Sequence, residues 1–265
     1  MPSLSGIQVE VSHGLLDLFS CDGKRIVVVM EAFVDESGTH RGAPIISVAA
    51  WAGAHWQWQK FLSHWDDKHF HAKEPKCAPL KHGLLQAIEF GELEGFTTWM
   101  QPDHYDANTA NQFRSVMGNA YAICAYACAL GVCKFAHNHK LGKVAFVIEA
   151  GQPNVAFVRQ TLEHMMVKEH FGIASVAIAP KEEFVQLCTA DFLAHSRTSD
   201  EKWFERLENT GRVSVAQIMP TALTKASDSL LQGLEKMRHQ KIILKKQKKA
   251  VHSTNDPNAK GKAAQ

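Results

Sequence analysis

The distribution of apolar residues along the chain predicts strands separated by helices. Five runs rich in Val, Ile, Ala and Phe have the length of buried strands, and a later run has the character of an edge strand. The predicted strands span residues 25–34, 45–53, 96–100, 143–148, 174–179 and 213–219. A short segment containing Gly and Pro joins the first two strands, which suits a hairpin.

Apolar residues recur at helical spacing between these strands. Helices are predicted over residues 56–70, 108–135, 154–170 and 182–195, and a final helix begins at residue 224. Strand and helix alternate in the second half, which predicts parallel strands with helices on the sheet faces. Because the first half is predicted to be antiparallel, we expect an α/β fold with a mixed sheet.

Composition divides the chain into four predicted segments. Residues 1–24 form an N-terminal extension, and residues 25–220 form the main domain. Residues 221–251 form a basic C-terminal helix, and the polar residues 252–265 form a disordered tail. At 265 residues the chain is long enough to bury a substantial core.

Charge, cysteine content and hydropathy limit the partners and the cellular location that the sequence predicts. Basic and acidic residues nearly balance, at 29 and 27, so any basic surface must be local. The six cysteines are scattered, and no secretory signal is visible, which predicts the reducing cytoplasm. The uncharged stretch 115–133 is built from Ala, Cys, Tyr and Gly, so we expect a buried helix and no membrane partner.

Two adjacent carboxylates end the first predicted strand. Asp35 and Glu36 follow an apolar run, and Gly38 lets the chain turn away directly afterwards. Neighbouring acids resist desolvation and repel each other, so a fold accommodates them best around a cation. The alternative is a solvated junction between strand and turn. Oxygen ligands of this kind predict a divalent metal, Mg²⁺ or Mn²⁺.

Other acids occupy corresponding places later in the chain. Glu149 ends a later strand, and Asp191 lies in an otherwise apolar helix after the last parallel strand. Carboxyl ends of parallel strands gather at one edge of a sheet, where ligands bind. Such a cluster would hold two divalent ions about 3.5–4 Å apart for phosphodiester cleavage. Each acid taken alone is also compatible with an ordinary surface charge.

The motifs around these acids resemble the family known as domain of unknown function 3800. The similarity covers roughly residues 26–200 and lies in ordered segments: residues 33–38 (FVDESG), 58–65 followed by 70–74, 121–124, 146–151 (FVIEAG) and 187–194. The family commonly has Gln three residues before the last Asp, where this chain has Cys188, with Gln186 nearby. The resemblance implies a ribonuclease-H-like mixed sheet with helices on both faces, to which this chain adds a C-terminal helical extension.

The same resemblance implies a metal-dependent nuclease. Asp35 on the central strand is then a metal ligand, completed by Glu149 and Asp191. Glu36 points to the opposite face of a regular strand and joins the site only if the chain bends there. His71 would shuttle a proton or position a phosphate, or it is a packed, hydrogen-bonded histidine. Lys73 would contact phosphate or face water.

The C-terminal helix is the predicted nucleic-acid contact, because its lysines would neutralise phosphates. These lysines are Lys241, Lys245, Lys246, Lys248 and Lys249. A solvated helix end explains the same charges. DNA and RNA are not distinguished, and no oligomeric state is predicted.

Other interpretations remain open. A non-catalytic nucleic-acid-binding protein would keep the fold and the basic helix without turnover. An interaction subunit of a defence or mobile-element system would instead expose Trp56, Trp58 and Trp65. Cys124 and Cys128 with His137 and His139 have some features of a zinc site, although core cysteines fit their spacing better. His69 and His71 would bind a metal together only if both side chains pointed to the same side of the backbone.

Overall fold

The computed structural model describes residues 28–40, 42–67, 69–151, 155–166 and 172–254. Its strands are β1 (Val28–Ser37), β2 (Ile46–Gly53), β3 (Glu94–Met100), β4 (Lys143–Glu149), β5 (Ile173–Ala179) and β6 (Val213–Gln217). Its α-helices are α1 (His55–Leu62), α2 (Lys81–Phe90), α3 (Pro102–Asn108), α4 (Asn111–Met117), α5 (Ala120–Asn138), α6 (Val155–Met166), α7 (Leu187–Ser199), α8 (Glu201–Glu208) and α9 (Pro220–Thr254). A 3-10 helix, Pro75–Leu80, precedes α2.

The described strands form one sheet in the order β5-β4-β1-β2-β3-β6. Strands β1, β2 and β3 are antiparallel neighbours, whereas β4 pairs in parallel with both β1 and β5. Strand β6 adds to β3 in parallel at the far edge. This is the predicted α/β mixed sheet with a central first strand, and α9 is the predicted helical extension.

Helices cover both faces of the sheet, as predicted. On one face α5 crosses β2 and β3, and its buried small residues, among them Ala122 and Cys128, let the helix approach the strands closely. On the other face α7 lies over β1 and β2. Aromatic packing fills this second layer, where the Phe33 and Trp58 rings meet edge to face with centroids 4.7 Å apart.

Strand β1 extends further than the apolar pattern predicts. It was expected to end at Val34, but its pairing with β2 continues to Ser37, opposite Ser47. Asp35 lies opposite Ala49, and Glu36 lies opposite Val48. The backbone of both acidic residues is therefore fixed by sheet pairing and does not lie in a loose turn.

The predicted long helix over residues 108–135 is wrong. Gly118 has φ +84° and separates α4 from α5. Asn119 then caps the new helix by accepting a hydrogen bond from the backbone N–H of Ala122. A Cβ atom on Gly118 would lie 2.7 Å from Phe157 Cε1, so the position requires glycine for space as well as conformation.

Other predicted helices differ at their ends. Helix α1 stops at Leu62, and the apolar residues after it pack without helical structure; the Trp65 and Phe70 rings lie 5.7 Å apart. Helix α7 begins at Leu187, because a turn occupies the preceding residues. Helix α9 begins at Pro220, a residue suited to a first helical turn.

Helix α5 would also suit a membrane span by length and composition alone. Most of its residues are nevertheless buried inside the protein, as expected for a core helix. The predicted extension 1–24 and residues 255–265 of the predicted tail lie outside the described residues.

Candidate metal centre

The parallel strands β1, β4 and β5 bring their carboxyl ends to one edge of the sheet. Asp35 comes from the end of β1, Glu149 from the end of β4, and Lys181 from just beyond β5. Helix α7 packs across β1 and supplies Asp191 to the same edge. The predicted convergence of these acids at one edge is therefore observed.

Lys181 lies at the centre of the three carboxylates. Its Nζ is 3.0 Å from Asp191 Oδ2, 3.3 Å from Asp35 Oδ2 and 3.4 Å from Glu149 Oε2. The lysine side chain is only 4% exposed. Burial acts to lower the pKa of Lys181, but attraction to the three carboxylates outweighs it and raises that pKa. The ammonium is therefore held charged inside the protein.

Sequence reasoning did not find Lys181. A signal was present, because the lysine follows Pro180 directly after an apolar strand. The rule that selected Glu149 from the end of β4 also applies to the end of β5. Lys181 occupies the corresponding position after β5.

Asp35 is almost completely buried. Desolvation raises its pKa well above the usual range, and a hydrogen bond with Glu149 raises it further, while the charge of Lys181 opposes both. The Oδ1 atom of Asp35 also accepts a hydrogen bond of 2.7 Å from the backbone N–H of Glu36. Asp35 is thus held rigidly at the centre of the site.

Glu36 borders the same cavity as Asp35, although strand alternation sends its stem to the opposite face. The position of Glu36 near the sheet edge brings its carboxylate within reach of the site. Burial, with repulsion from Glu149, raises the pKa of Glu36 to about 8. Its Oε2 atom is buried and has no hydrogen-bond partner. A buried oxygen without a partner is costly, and a cation would satisfy it.

Asp191 connects the carboxylates to the segment that carries His71. Its Oδ2 atom accepts a hydrogen bond of 3.0 Å from the backbone N–H of Ala72. The same oxygen lies 3.9 Å from His71 Nδ1. His71 is about one-third exposed and faces the cavity, so it is not a packed core residue.

These groups line an open cavity of about 430 Å³. The rim carries hydroxyl and basic side chains, including those of Lys73 and His195. His195 lies one helical turn after Asp191, and burial lowers its pKa although Asp191 opposes the shift. Ser37 Oγ and Thr198 Oγ1 are 2.8 Å apart and connect β1 to α7 beside the cavity. Sequence reasoning predicted Lys73 here but missed His195.

Gly38 allows the chain to leave the site. Its φ is +79°, and a Cβ atom there would lie 1.9 Å from the carbonyl oxygen of Ile45. Only glycine satisfies both restrictions. The predicted role of Gly38 in turning the chain away from the acids matches this geometry.

The remaining candidate residues lie elsewhere. His69 is exposed and is not among the residues that line the cavity, so the paired-histidine site is not formed. Cys124 and Cys128 are core residues, and burial raises the pKa of both thiols. Trp58 and Trp65 are buried, which leaves Trp56 as the exposed member of the predicted tryptophan surface. The backbone of α9 includes the five C-terminal lysines, whose side chains lie outside the described residues.

The donor set suits a divalent cation. Among the described residues, no group of three His, Cys, Asp or Glu side chains has the arrangement needed to hold a metal ion as it stands. The carboxylates of this site surround an ammonium instead. Four carboxyl groups, those of Asp35, Glu36, Glu149 and Asp191, nevertheless line one cavity together with Lys181. Hard oxygen ligands of this kind fit Mg²⁺ or Mn²⁺.

Comparisons with known proteins add little to this geometry. No family model matches the chain, and no curated protein matches it in sequence. The fold is similar to a chain in the solved structure of the PCNA:RNase HII complex from Archaeoglobus fulgidus. That match has 16% identity and a TM-score of 0.41, and covers 69% of this chain and 78% of the other. A likeness at this level carries no information about activity.

Proposed function

We propose that this protein is a metal-dependent nuclease of the family known as domain of unknown function 3800. Asp35, Glu149 and Asp191 would hold Mg²⁺ or Mn²⁺. The observation that carries the proposal is the meeting of these three side chains around one buried cation, at the edge of an open cavity. Three acids separated this widely in sequence are rarely brought together without a charged ligand.

A divalent ion bound there would activate water and neutralise charge on a phosphodiester. The protein's own groups have separate tasks. Asp35 is fixed by its backbone hydrogen bond and would define the position of the ion. His71 faces the cavity beside Asp191 and would move a proton to or from the reacting oxygen. Lys73 on the same rim would contact a phosphate oxygen.

Nucleic acid is the proposed substrate. The lysines from Lys241 to Lys249 on α9 would bind its backbone through charge, which gives affinity without sequence preference. The described cysteines are free thiols buried in the core, which supports a cytoplasmic location.

One observation favours the alternative of a non-catalytic nucleic-acid-binding protein. Lys181 already places a positive charge among the carboxylates, so the site gains some stability without any metal. A protein that kept the fold for binding alone would need no more than this. Such a protein would bind nucleic acid in a salt-sensitive manner and would show no cleavage with any divalent ion.

Cleavage assays distinguish the two functions. The full chain is incubated with labelled single- and double-stranded DNA and RNA in Mn²⁺, in Mg²⁺ or in EDTA. We expect cleavage with a divalent ion, and loss of both cleavage and Mn²⁺ binding in Asp35→Asn, which is similar in shape to the neutral acid. Glu163→Gln, which changes an exposed carboxylate on α6, serves as the matched control. Unchanged Mn²⁺ affinity of Asp35→Asn in calorimetry would reject the proposed ligand set.

A further inference from the structure

A single ammonium serves three carboxylates in this site. Lys181 Nζ contacts oxygens of Asp35, Glu149 and Asp191 at 3.0–3.4 Å, and the side chain is 4% exposed. The oxygens that surround Lys181 are the ones assigned above to a divalent ion. An ammonium and a divalent ion cannot occupy one set of oxygens, because they repel each other and compete for the same lone pairs.

The ammonium leaves one buried carboxyl group of the site without a partner. Glu36 adds a fourth carboxylate beside Asp35, and its buried Oε2 atom has no hydrogen-bond partner. Lys181 makes no contact with Glu36 among its ion pairs in the described residues. The site therefore keeps an unused oxygen ligand for a cation even while Lys181 is in place.

Lys181 also lies where its side chain can move out of the carboxylate cluster. It lies in the turn that follows β5, where the backbone N–H of Glu183 donates to the carbonyl of Pro180 and that of Phe184 donates to the carbonyl of Lys181. The side chain is a flexible four-carbon stem, and it borders the open cavity. Rotation of the stem would move the ammonium into the cavity without disturbing the strand.

We propose that Lys181 is the resting cation of this site and that a divalent ion binds by displacing its ammonium into the cavity. This inference rests on the proposed metal-dependent function and adds a means of control to it. Lys181 keeps the carboxylates together in the metal-free protein and weakens metal binding by competition. The observed affinity for the ion is then the difference between two cations for one set of oxygens.

Metal titration of a charge-removing variant tests the competition. Lys181→Met removes the ammonium while keeping a side chain of similar length. We expect Mn²⁺ to bind this variant about tenfold or more tightly than the wild-type chain in calorimetry. In EDTA, the same variant should melt at a lower temperature than the wild type, because its carboxylates lack a partner.

Lys81→Met is the matched control. Lys81 is also a buried lysine, and its Nζ lies 2.8 Å from Asp200 Oδ2, but it does not line the cavity. Its loss should lower the melting temperature in a comparable way and leave Mn²⁺ affinity unchanged. The comparison separates competition at the site from a general effect of removing a buried charge.

Chemical labelling of the wild-type chain gives a second readout that needs no variant. Acetylation of Lys181 is followed by mass spectrometry with and without Mn²⁺, and acetylation of Lys81 is the internal reference. We expect Mn²⁺ to increase labelling of Lys181 severalfold and to leave that of Lys81 unchanged. This measurement decides the question even if Lys181→Met fails to fold.

The outcomes separate the inference from the function on which it rests. Tighter binding to Lys181→Met, or increased labelling of Lys181 on addition of Mn²⁺, supports displacement. If Mn²⁺ binds the wild-type chain but the variant binds equally or more weakly, and labelling does not rise, displacement is overturned while the metal site stands. If Mn²⁺ binds neither protein, the proposed metal-dependent function itself is overturned.

Discussion

The carboxylate of Asp191 accepts a hydrogen bond from the backbone N–H of Ala72 at 3.0 Å, across 119 positions of sequence. This bond fixes the segment before the 3-10 helix against α7. Its neighbour His71 is thereby held with Nδ1 3.9 Å from the same carboxylate oxygen. A side chain that the sequence left undecided between packing and chemistry is thus positioned at the cavity by one backbone contact.

Removal of the His71 imidazole should slow cleavage. We expect His71→Ala to reduce kcat by about 100-fold or more, because a positioned proton donor or acceptor is lost. The pH profile of kcat should lose one limb, a change that a purely structural role would not produce. The measurement is steady-state cleavage of a labelled oligonucleotide over a range of pH.

His69→Ala is the matched control for His71→Ala, because His69 is exposed and lies outside the cavity lining. Its kcat and pH profile should match those of the wild-type chain. Equal effects of the two substitutions would contradict a specific role for His71.

Neutralisation of Glu36 should stabilise the metal-free protein at higher pH. Burial and neighbouring acids raise the pKa of Glu36 from 4.5 to about 8 in the folded state. Between these values the folded protein keeps a proton that the unfolded chain has released, so the free energy of unfolding falls as pH rises. Glu36→Gln avoids this loss, with an expected gain of about 4 kcal/mol at pH 8.

Urea unfolding in EDTA at pH 5 and pH 8 measures this effect. The advantage of Glu36→Gln over the wild-type chain should be small at pH 5 and larger at pH 8. Glu163→Gln, on the exposed face of α6, should change stability by less than about 0.5 kcal/mol at both values. A stability difference that is independent of pH would show that Glu36 is ionised throughout.

Substitution of Gly38 should be strongly destabilising. Gly38→Ala adds a Cβ atom 1.9 Å from the Ile45 carbonyl oxygen at a residue whose φ is +79°. We expect a loss of about 3 kcal/mol or more in the free energy of unfolding, since a clash with backbone adds to conformational strain. Equilibrium unfolding in urea checks this value.

Gly211→Ala provides the comparison for conformational strain alone. Gly211 has a similar φ of +72°, but a Cβ atom there would meet nothing within 4 Å. We expect Gly211→Ala to lower the free energy of unfolding by about 1 kcal/mol. Equal losses at the two glycines would show that the turn after β1 relaxes to accept a side chain.

Neutralisation of the basic end of α9 should weaken nucleic-acid binding and reduce its salt dependence. Changing Lys241, Lys245, Lys246, Lys248 and Lys249 to Gln removes five charges. The slope of log affinity against log salt should become shallower by as much as about 4, because each phosphate contact contributes roughly 0.9 on duplex DNA. Fluorescence anisotropy with a labelled duplex at several salt concentrations measures the slope.

A second variant, also with five substitutions, controls for the change in net charge. It changes lysines on other surfaces to Gln, at Lys60, Lys134, Lys140, Lys143 and Lys202. Its slope should remain close to that of the wild-type chain. Equal slopes for both variants would mean that binding follows overall charge and not the basic helix.

The carboxylates were predictable from the sequence because each follows a strongly apolar run. An acid at the end of such a run, as at Asp35 and Glu149, is a local signal of a sheet edge. Asp191 was visible for a similar reason, as an acid in an apolar helix. Lys181 has the same local signal, but its burial among three acids depends on pairing between β4 and β5, which no local pattern specifies.

Helix ends were less predictable than strand ends. Helical spacing continues through Gly118, but its φ of +84° and its contact with Phe157 come from tertiary packing. Apolar spacing also continues past Leu62, but Trp65 and Phe70 are buried although they lie in a segment that is not helical. In both places the residues are apolar because they are buried, whether or not the backbone there is helical. Their spacing therefore does not locate the end of the helix.

The carboxylates that surround Lys181 come from distant parts of the main domain, from Asp35 in β1 to Asp191 in α7. A growing chain therefore does not hold the complete cluster until Asp191 has left the ribosome and the parallel strands have paired. Any proteolytic fragment that separates β1 from α7 is likewise left without one. On the proposed function, an enzyme built in this way would be harmless to the nucleic acids around it until its synthesis is finished.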